Sequence, residues 1–436
     1  VKRLLILSVL ATLCSGWAVA EEPRTLTLPE AVHLALEKNP DLASAQQRVK
    51  AARAALHQAD AAFWPRVRVS ESYAASDNPV QAFMMTLNQR AFNFNANFNH
   101  PDNTDNLNTK LLATYPLYNG GSDLAARQVA RLGAEARANS TDAVRNELVF
   151  EVTRSFYTIG KARRFVSATE TAVASMESNL NLASNRFIQG SVLKSDLLDA
   201  DVRLAESREN LVLARNALAI SESIFRNVLG IGETGNVTAV EVQFRAPQDA
   251  ATVPVDVSQR PELLAVQKVV AAAERQVRTA VGGHLPRVNA FASYDLDSGD
   301  AHRFEDSWVA GVSVELDVFD GFLARGKVAE ARANLDAARE ELRRTELALQ
   351  LEAKEAQLNL QEAGARLETS GRAVSQAEES VQITKERYSS GLALLTQLLD
   401  AETALTSARQ RRAAAEADYE IAHGALDKAL GREWKE

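Results

Sequence analysis

The sequence states one pattern twice. Asn185-Arg186-Phe187-Ile188-Gln189-Gly190, followed by Ser195-Asp196-Leu197-Leu198-Asp199-Ala200, returns as Glu386-Arg387-Tyr388-Ser389-Ser390-Gly391 and Thr396-Gln397-Leu398-Leu399-Asp400-Ala401. Gly190 and Gly391 lie 201 residues apart, as do Tyr118 and Phe319, and Leu229-Gly230 and Leu430-Gly431. A repeat in step over so long a stretch, centred on a Gly turn, predicts two copies of one helical hairpin.

Proline placement agrees. All 11 prolines fall outside 117–246 and before residue 287, and proline is the residue a helix interior excludes. Within the first gap Ile159, Ala162, Val166, Thr169, Val173, Met176, Leu180, Ala183 and Phe187 step by threes and fours. Past Gly190, Leu197, Leu204, Leu211, Leu218 and Phe225 recur every seventh residue, as do Ala401, Ala408, Ala415, Ala422 and Ala429 in the second copy. A sustained seven-residue period supercoils helices, and alanine at the seam lets them approach closely. The outgoing arm, about 122–189, would be ~100 Å long at ~1.5 Å per residue, with Gly160 placed to kink or break it. Such a rod suits a span across a gap better than a globular core.

Each copy has a shorter preamble. Thr27-Leu28-Pro29-Glu30 is a capping-box start, and Asn39-Pro40 and Arg260-Pro261 each open a helix with proline at its first position. After Trp64-Pro65 and Pro286 the period changes to two: Val67, Val69, Glu71 and Tyr73, apolar but for Glu71; Leu111, Ala113 and Tyr115; Val288, Ala290, Ala292 and Tyr294; Trp308, Ala310, Val312, Val314, Leu316 and Val318. Such alternation, ended by aromatics, fits lipid-facing barrel strands; taken alone it equally fits a half-buried soluble hairpin. Each copy thus holds one strand hairpin, the first with a long Asn-rich connection (78–108) and the second with a short one (297–306). Insertions collect in exposed loops, which places these connections outside the membrane.

The N-terminus reads as an export signal over 1–20: Lys2 and Arg3, an apolar run over 4–11, and Ala18-Val19-Ala20 before Glu21. Cys14 is the only cysteine and lies within it, so disulfides and Cys chemistry are excluded from the mature chain. The net charge of −8 argues against nucleic acid as a partner. The six histidines (33, 57, 100, 284, 302, 423) have no metal spacing, no nucleophile-elbow, Walker or dinucleotide fingerprint occurs, and no cofactor is implied. Acids on the helices alternate with Arg and Lys, as on solvated coiled-coil faces. Enzymatic activity is not expected.

Past the signal no run of eighteen apolar residues exists to span a membrane as helix. Four strands cannot close a barrel, and an open edge is not tolerated in lipid, so membrane strands would require several copies of the chain. Long helices hung from such strands describe a duct from an outer membrane into the periplasm.

The residues carrying these features resemble the TolC-type outer-membrane efflux proteins. The resemblance rests on the duplicated Arg-[Phe/Tyr]-x-x-Gly…[Ser/Thr]-x-x-Leu-Leu-Asp-Ala turn, on Asn39-Pro40-Asp41-Leu42 and Arg260-Pro261-Glu262-Leu263, and on Tyr118-Asn119-Gly120-Gly121 and Phe319-Asp320-Gly321. It extends from about residue 26 to 431. It implies an α+β membrane protein: a homotrimer whose antiparallel coiled-coil hairpins form an α-barrel tunnel, with four strands per chain contributing to a twelve-stranded outer-membrane β-barrel. The first repeat would span 21–246 (strands about 66–76 and 107–118, long helices about 122–189 and 195–229). The second would span 247–436 (strands about 287–296 and 307–319, long helices about 323–390 and 395–430). The linker 231–257, with its run 237–244, would join an equatorial belt.

In that family, acidic side chains six and nine residues after each tip glycine ring the periplasmic aperture. Here these positions are Asp196 and Asp199, and Gln397 and Asp400. Gln397 departs from the acidic pattern, which leaves Asp400 as the stronger candidate for the constriction. Each aspartate also fits an ordinary charge near a helix N-terminus. The resemblance further implies that the tips, with Arg186, Gly190, Val192, Leu193, Arg387, Gly391 and Leu392, meet a periplasmic adaptor (membrane fusion) protein serving an inner-membrane transporter. Gly190 and Gly391 equally fit plain left-handed helix caps, and Arg186 and Arg387 plain cations at helix C-termini. The duct would be passive, carrying substrates outward in an efflux or type I secretion system and gated at these tips. The alternative is a periplasmic adaptor or structural coiled coil without a pore, which would carry one hairpin rather than two and lack the 308–318 alternation.

Overall fold

The computed structural model describes residues 24–95, 97, 99–232, 237–244, 254 and 256–432. The export signal expected over 1–20 lies outside these residues. The chain opens with a short strand, β1 (Arg24–Leu26), and helix α1 (Leu28–Lys38). At its start Thr27 and Glu30 close the reciprocal capping box. Asn39 then caps α2 (Pro40–Asp60): its Oδ1 accepts from the amides of Asp41 and Leu42.

The sheet comprises β2 (Arg66–Ser76), β3 (Thr104–Asn119), β5 (Arg287–Ser298) and β6 (Glu305–Glu315), antiparallel throughout in the order β2-β3-β5-β6. The register puts Val67, Leu111, Tyr294 and Trp308 on one face and Arg68, Lys110, Asp295 and Ser307 on the other. Apolar side chains of the first face are open to the surroundings, Trp308 at 75 % exposure and Val69 at 69 %. Polar groups of the opposite face bond one another: Asn106 Nδ2 and Asn108 Nδ2 both donate to Asp297 Oδ1 (2.6 and 3.0 Å), and Lys110 pairs with Asp295 (3.5 Å). The register shift in β3 falls between Pro116 and Tyr118, where proline has no amide to give to a ladder. Strands β2 and β6 are unpaired at the two edges of the sheet.

Two helices of 67 residues, α4 (Ser122–Ile188) and α7 (Leu323–Ser389), descend from the sheet, and two of 35 residues, α5 (Lys194–Val228) and α8 (Leu395–Ala429), return part of the way. The buried seam follows the heptads: Leu204 and Phe225 in α5, and Ala408, Ala415, Ala422 and Ala429 in α8. Helix α6 (Pro261–Gly282) runs beside α4 and α7.

Halfway down, β4 (Val237–Ala239) pairs in parallel with β1. Val242 and Phe244 pack with Phe156, Ile159 and Phe225 in the core there. Gly160 lies against this segment, and the sequence misleads at that point. Helix α4 is continuous through Gly160, which does not end it. A Cβ on Gly160 would stand 2.9 Å from Val242, so glycine is needed for close approach rather than for a break. The Asn-rich connection also differs from a plain loop: it contains a ten-residue helix, α3 (Pro79–Asn88), capped by Asn78, and β3 begins at Thr104 rather than near 107.

Candidate functional site: the paired hairpin tips

Both tips are built by the same local chemistry. Gly190 (φ 72°) and Gly391 (φ 73°) take the left-handed conformation that glycine adopts without Cβ strain. Each donates its amide to the carbonyl three residues back, Phe187 or Tyr388, while the following amides of Ser191 and Leu392 reach the carbonyls of Arg186 and Arg387. These are Schellman ends that satisfy carbonyls the helix leaves open. The chain then turns up into α5 and α8.

The next turn explains one departure between the copies. Asp196 Oδ2 accepts the Leu193 amide at 3.1 Å, and Gln397 Oε1 accepts the Leu394 amide at 3.1 Å. Each is the third residue of its helix, reaching back to cap it. Glutamine supplies the same acceptor without the charge. Asp199 is exposed and forms no ion pair among the described residues. Asp400, also exposed, lies 3.4 Å from the Arg203 guanidinium of α5, which joins the two return helices.

The two tips are not independent. Arg186 crosses from α4 to the end of α7, where Nη1 donates to the Tyr388 carbonyl and Nη2 to the Ser389 carbonyl, both at 2.8 Å. Its guanidinium lies 4.3 Å above the Tyr388 ring. Arg186 thus complements the dipole of the other hairpin as well as its own. Beneath it Tyr388 is buried with Met176, Ala183, Ala200, Leu204, Leu395, Leu398 and Leu399 in a core drawn from both hairpins. The equivalent positions in the other copy are open: Arg387 and Phe187 are both exposed. Leu193, Leu392 and Leu394 project into the surroundings, together with Ile188, while Val192 is half-buried.

Tyr388, Arg203 and Glu402 are contributors that sequence reasoning did not single out. Tyr388 was visible as an aromatic in the repeated motif, but its contrast with exposed Phe187 was not. Arg203 carries no signal, because its partner lies on a helix 197 residues away. Glu402 is buried in α8, and that burial raises its carboxyl pKa against the opposing pull of Lys385, Ser175 and Arg409.

Higher up, the two preambles dock on the ends of the return helices. Asn39 Nδ2 donates to the Val228 carbonyl at 2.9 Å. Arg260 donates to the Lys428 carbonyl at 3.1 Å and pairs with Glu262 (2.9 Å) and Glu352 (3.1 Å), while Lys428 pairs with Glu352 and Glu147. Burial alone would raise the Glu262 pKa; the Arg260 hydrogen bond and charge hold it below its ordinary value.

The family model described as Outer membrane efflux protein matches residues 31–231 and 257–432, and the chain belongs to that family. With that membership, the two-hairpin helical rod hung from a sheet with one apolar and one polar face is an outer-membrane export channel with its helical part facing the periplasm. It is 27 % identical over 399 residues to Protein CyaE of Bordetella pertussis, a match covering 88 % of this chain and 80 % of that protein. It is 24 % identical over 301 residues to Outer membrane protein TolC of Escherichia coli, covering 65 % of this chain and 61 % of that one. The fold is also that of the outer membrane protein VceC from Vibrio cholerae, with a TM-score of 0.81 at 19 % identity over 94 % of this chain and 97 % of that one. The family match spans both halves of the chain, which disposes of the single-hairpin adaptor alternative.

Proposed function

We propose that three copies of this chain close a twelve-stranded barrel and a continuous helical tunnel, forming the passive outer duct of a tripartite efflux or type I secretion assembly. The observation that carries this reading is the open-edged sheet. Strands β2 and β6 leave two rows of backbone groups that lipid cannot satisfy, and the exposed Val69 and Trp308 face fits lipid rather than water. Among the described residues no helix is long and apolar enough to cross a membrane, so membrane attachment falls to the strands.

Trimer closure also gives Arg387 a partner. The operation that carries the first tip onto the second within a chain carries the second onto the first tip of the next chain. Arg387 would then cap the end of the neighbour's α4 beside Phe187, as Arg186 caps α7. The periplasmic aperture is assigned to Asp400, Asp199 and Asp196, with Gln397 removing three carboxylates from the ring. Like charges in a narrow neck repel one another and attract cations. The exposed Ile188, Leu193, Leu392 and Leu394 are apolar enough to seat on the hairpins of an adaptor protein, and the driving energy comes from an inner-membrane transporter.

A heat-modifiable trimer in outer-membrane fractions is the expected result; a soluble periplasmic monomer overturns the duct. In planar bilayers Asp400→Ala should lose sensitivity to multivalent cations. Unchanged block would remove Asp400 from the aperture.

A further inference from the structure

The α3 segment crosses the whole sheet. It leaves the end of β2, where the Ser76 hydroxyl donates to Gln81 Oε1 (2.8 Å). Over β3, Gln89 Nε2 donates to the Asp105 carbonyl (2.6 Å) and to Asn106 Oδ1 (2.9 Å). It is pinned at the far edge, where Arg90 pairs with Glu305 (3.2 Å) and Asp306 (3.5 Å) beside the β5–β6 turn. Asn106 shares its face with Asn108, Lys110, Asp295 and Asp297, the polar face opposite Trp308 and Val69. In a barrel whose apolar face meets lipid, α3 therefore lies on the lumenal side, and Asn106, Asp297 and Ser298 are buried at that end of the sheet.

Helix α3 has two faces. Ala82, Met85, Thr86 and Gln89 turn inward and are buried or half-buried, whereas Val80, Phe83, Met84 and Leu87 form an exposed stripe at helical spacing. Phe92 stacks edge-on against Phe83 (5.5 Å), and Phe94 against Phe92 (4.9 Å) at 87 % exposure, which extends the stripe. A water-filled exit gives no reason to point such a stripe away from the sheet, toward the barrel axis, unless something apolar meets it there.

We propose that the Val80, Phe83, Met84 and Leu87 stripes of the three chains pack on one another at the trimer axis and close the outer mouth of the duct. The proposal rests on the trimer proposed above. Twelve strands at about 4.8 Å spacing, tilted by about 40°, enclose a barrel roughly 24 Å across its backbone. Three helices each about 10 Å wide fill that opening. The Arg90 ion pairs with Glu305 and Asp306 are partly exposed and weak, so they serve as a releasable catch when cargo arrives. The channel then has a closure at each end.

The only native cysteine is Cys14, in the expected signal, so single cysteines report cleanly. Met84→Cys and Leu87→Cys should each give disulfide-linked dimers when trimers in outer membranes are oxidised, while Val69→Cys on the lipid face should give none. Spin labels at position 84 should report distances below about 20 Å, since the helices would lie within one barrel width. Intact trimers that form no Met84→Cys or Leu87→Cys crosslink, with spin labels well apart, overturn the outer closure and leave the duct standing. Loss of the trimer itself in wild-type membranes overturns both.

Discussion

The two repeats solve one docking problem with different chemistry. In the first, Asn39 reaches the end of α5 with a neutral amide; in the second, Arg260 reaches the end of α8 with a buried guanidinium that also holds Glu262 and Glu352. Both positions precede a proline that starts the next helix, and both lie against the left-handed glycines Gly230 and Gly431. The geometry of the repeat is therefore kept while its energetics are not. Removing the neutral amide loses three hydrogen bonds, while removing the buried guanidinium also takes a cation from two half-buried carboxylates, Glu262 and Glu352.

That contrast can be broken most forcefully at Arg260. Arg260→Ala should cost ~2–3 kcal/mol, since it empties a buried site and removes the bonds to the half-buried Glu262 and Glu352 and to the Lys428 carbonyl, whereas Asn39→Ala should cost ~1–2 kcal/mol. Chemical denaturation of the two purified variants measures both, and equal losses would mean the ionic network contributes nothing of its own. The belt provides the next test. Gly160→Ala drives a methyl group into Val242 and should cost ~1–3 kcal/mol by overpacking. Gln361→Ala, at the equivalent exposed position of α7, should stay within ~0.5 kcal/mol.

At the tips, Arg186→Ala should destabilise the hairpin pair by ~1 kcal/mol, the partial exposure of the side chain reducing its bonds to Tyr388 and Ser389. Arg387→Ala should leave the protomer unchanged and lower the temperature at which trimers dissociate on gels. A smaller, pH-dependent difference separates Glu402 from its exposed counterpart Asp201. Because burial raises the folded-state pKa of Glu402, its stabilising contribution is complete below the ordinary value of 4.5 and is lost as pH rises through the raised one. Glu402→Gln should stabilise the protein at neutral pH and flatten that dependence in thermal melts, and Asp201→Asn should do neither. Smallest of all, Gln397→Asp keeps the N-terminal acceptor and should change stability by under ~0.5 kcal/mol, while strengthening block by multivalent cations if position 397 lines the aperture.

What the sequence revealed follows the range of the interaction. Heptads in α5 and α8, the proline-free gaps, the Thr27–Glu30 box and the alternation around Trp308 are local patterns, and they are visible because helix and strand periods are written into neighbouring residues. Gly160 was misread because a glycine needed for close approach looks the same as one that breaks a helix until Val242 is known to lie beside it. Helix α3 was hidden in an Asn-rich stretch whose composition suggests loop, although Asn78-Pro79 is the same start signal as Asn39-Pro40. The partnerships of Arg186 with Tyr388 and of Arg203 with Asp400 join residues about two hundred positions apart. Only the packing of the α5 and α4 arms against α8 and α7 decides them.

The Arg186 contact bears on how many parts such a channel can move. Six separate tips would let an aperture open in many partial steps. In the proposed trimer the Arg186 joint would lie within each chain and the Arg387 joint between chains. If the Arg387 joints were released and the Arg186 joints kept, the trimer would part into three units that each carry both tips, so opening would resemble a three-bladed iris that presents two tip surfaces to a partner at once.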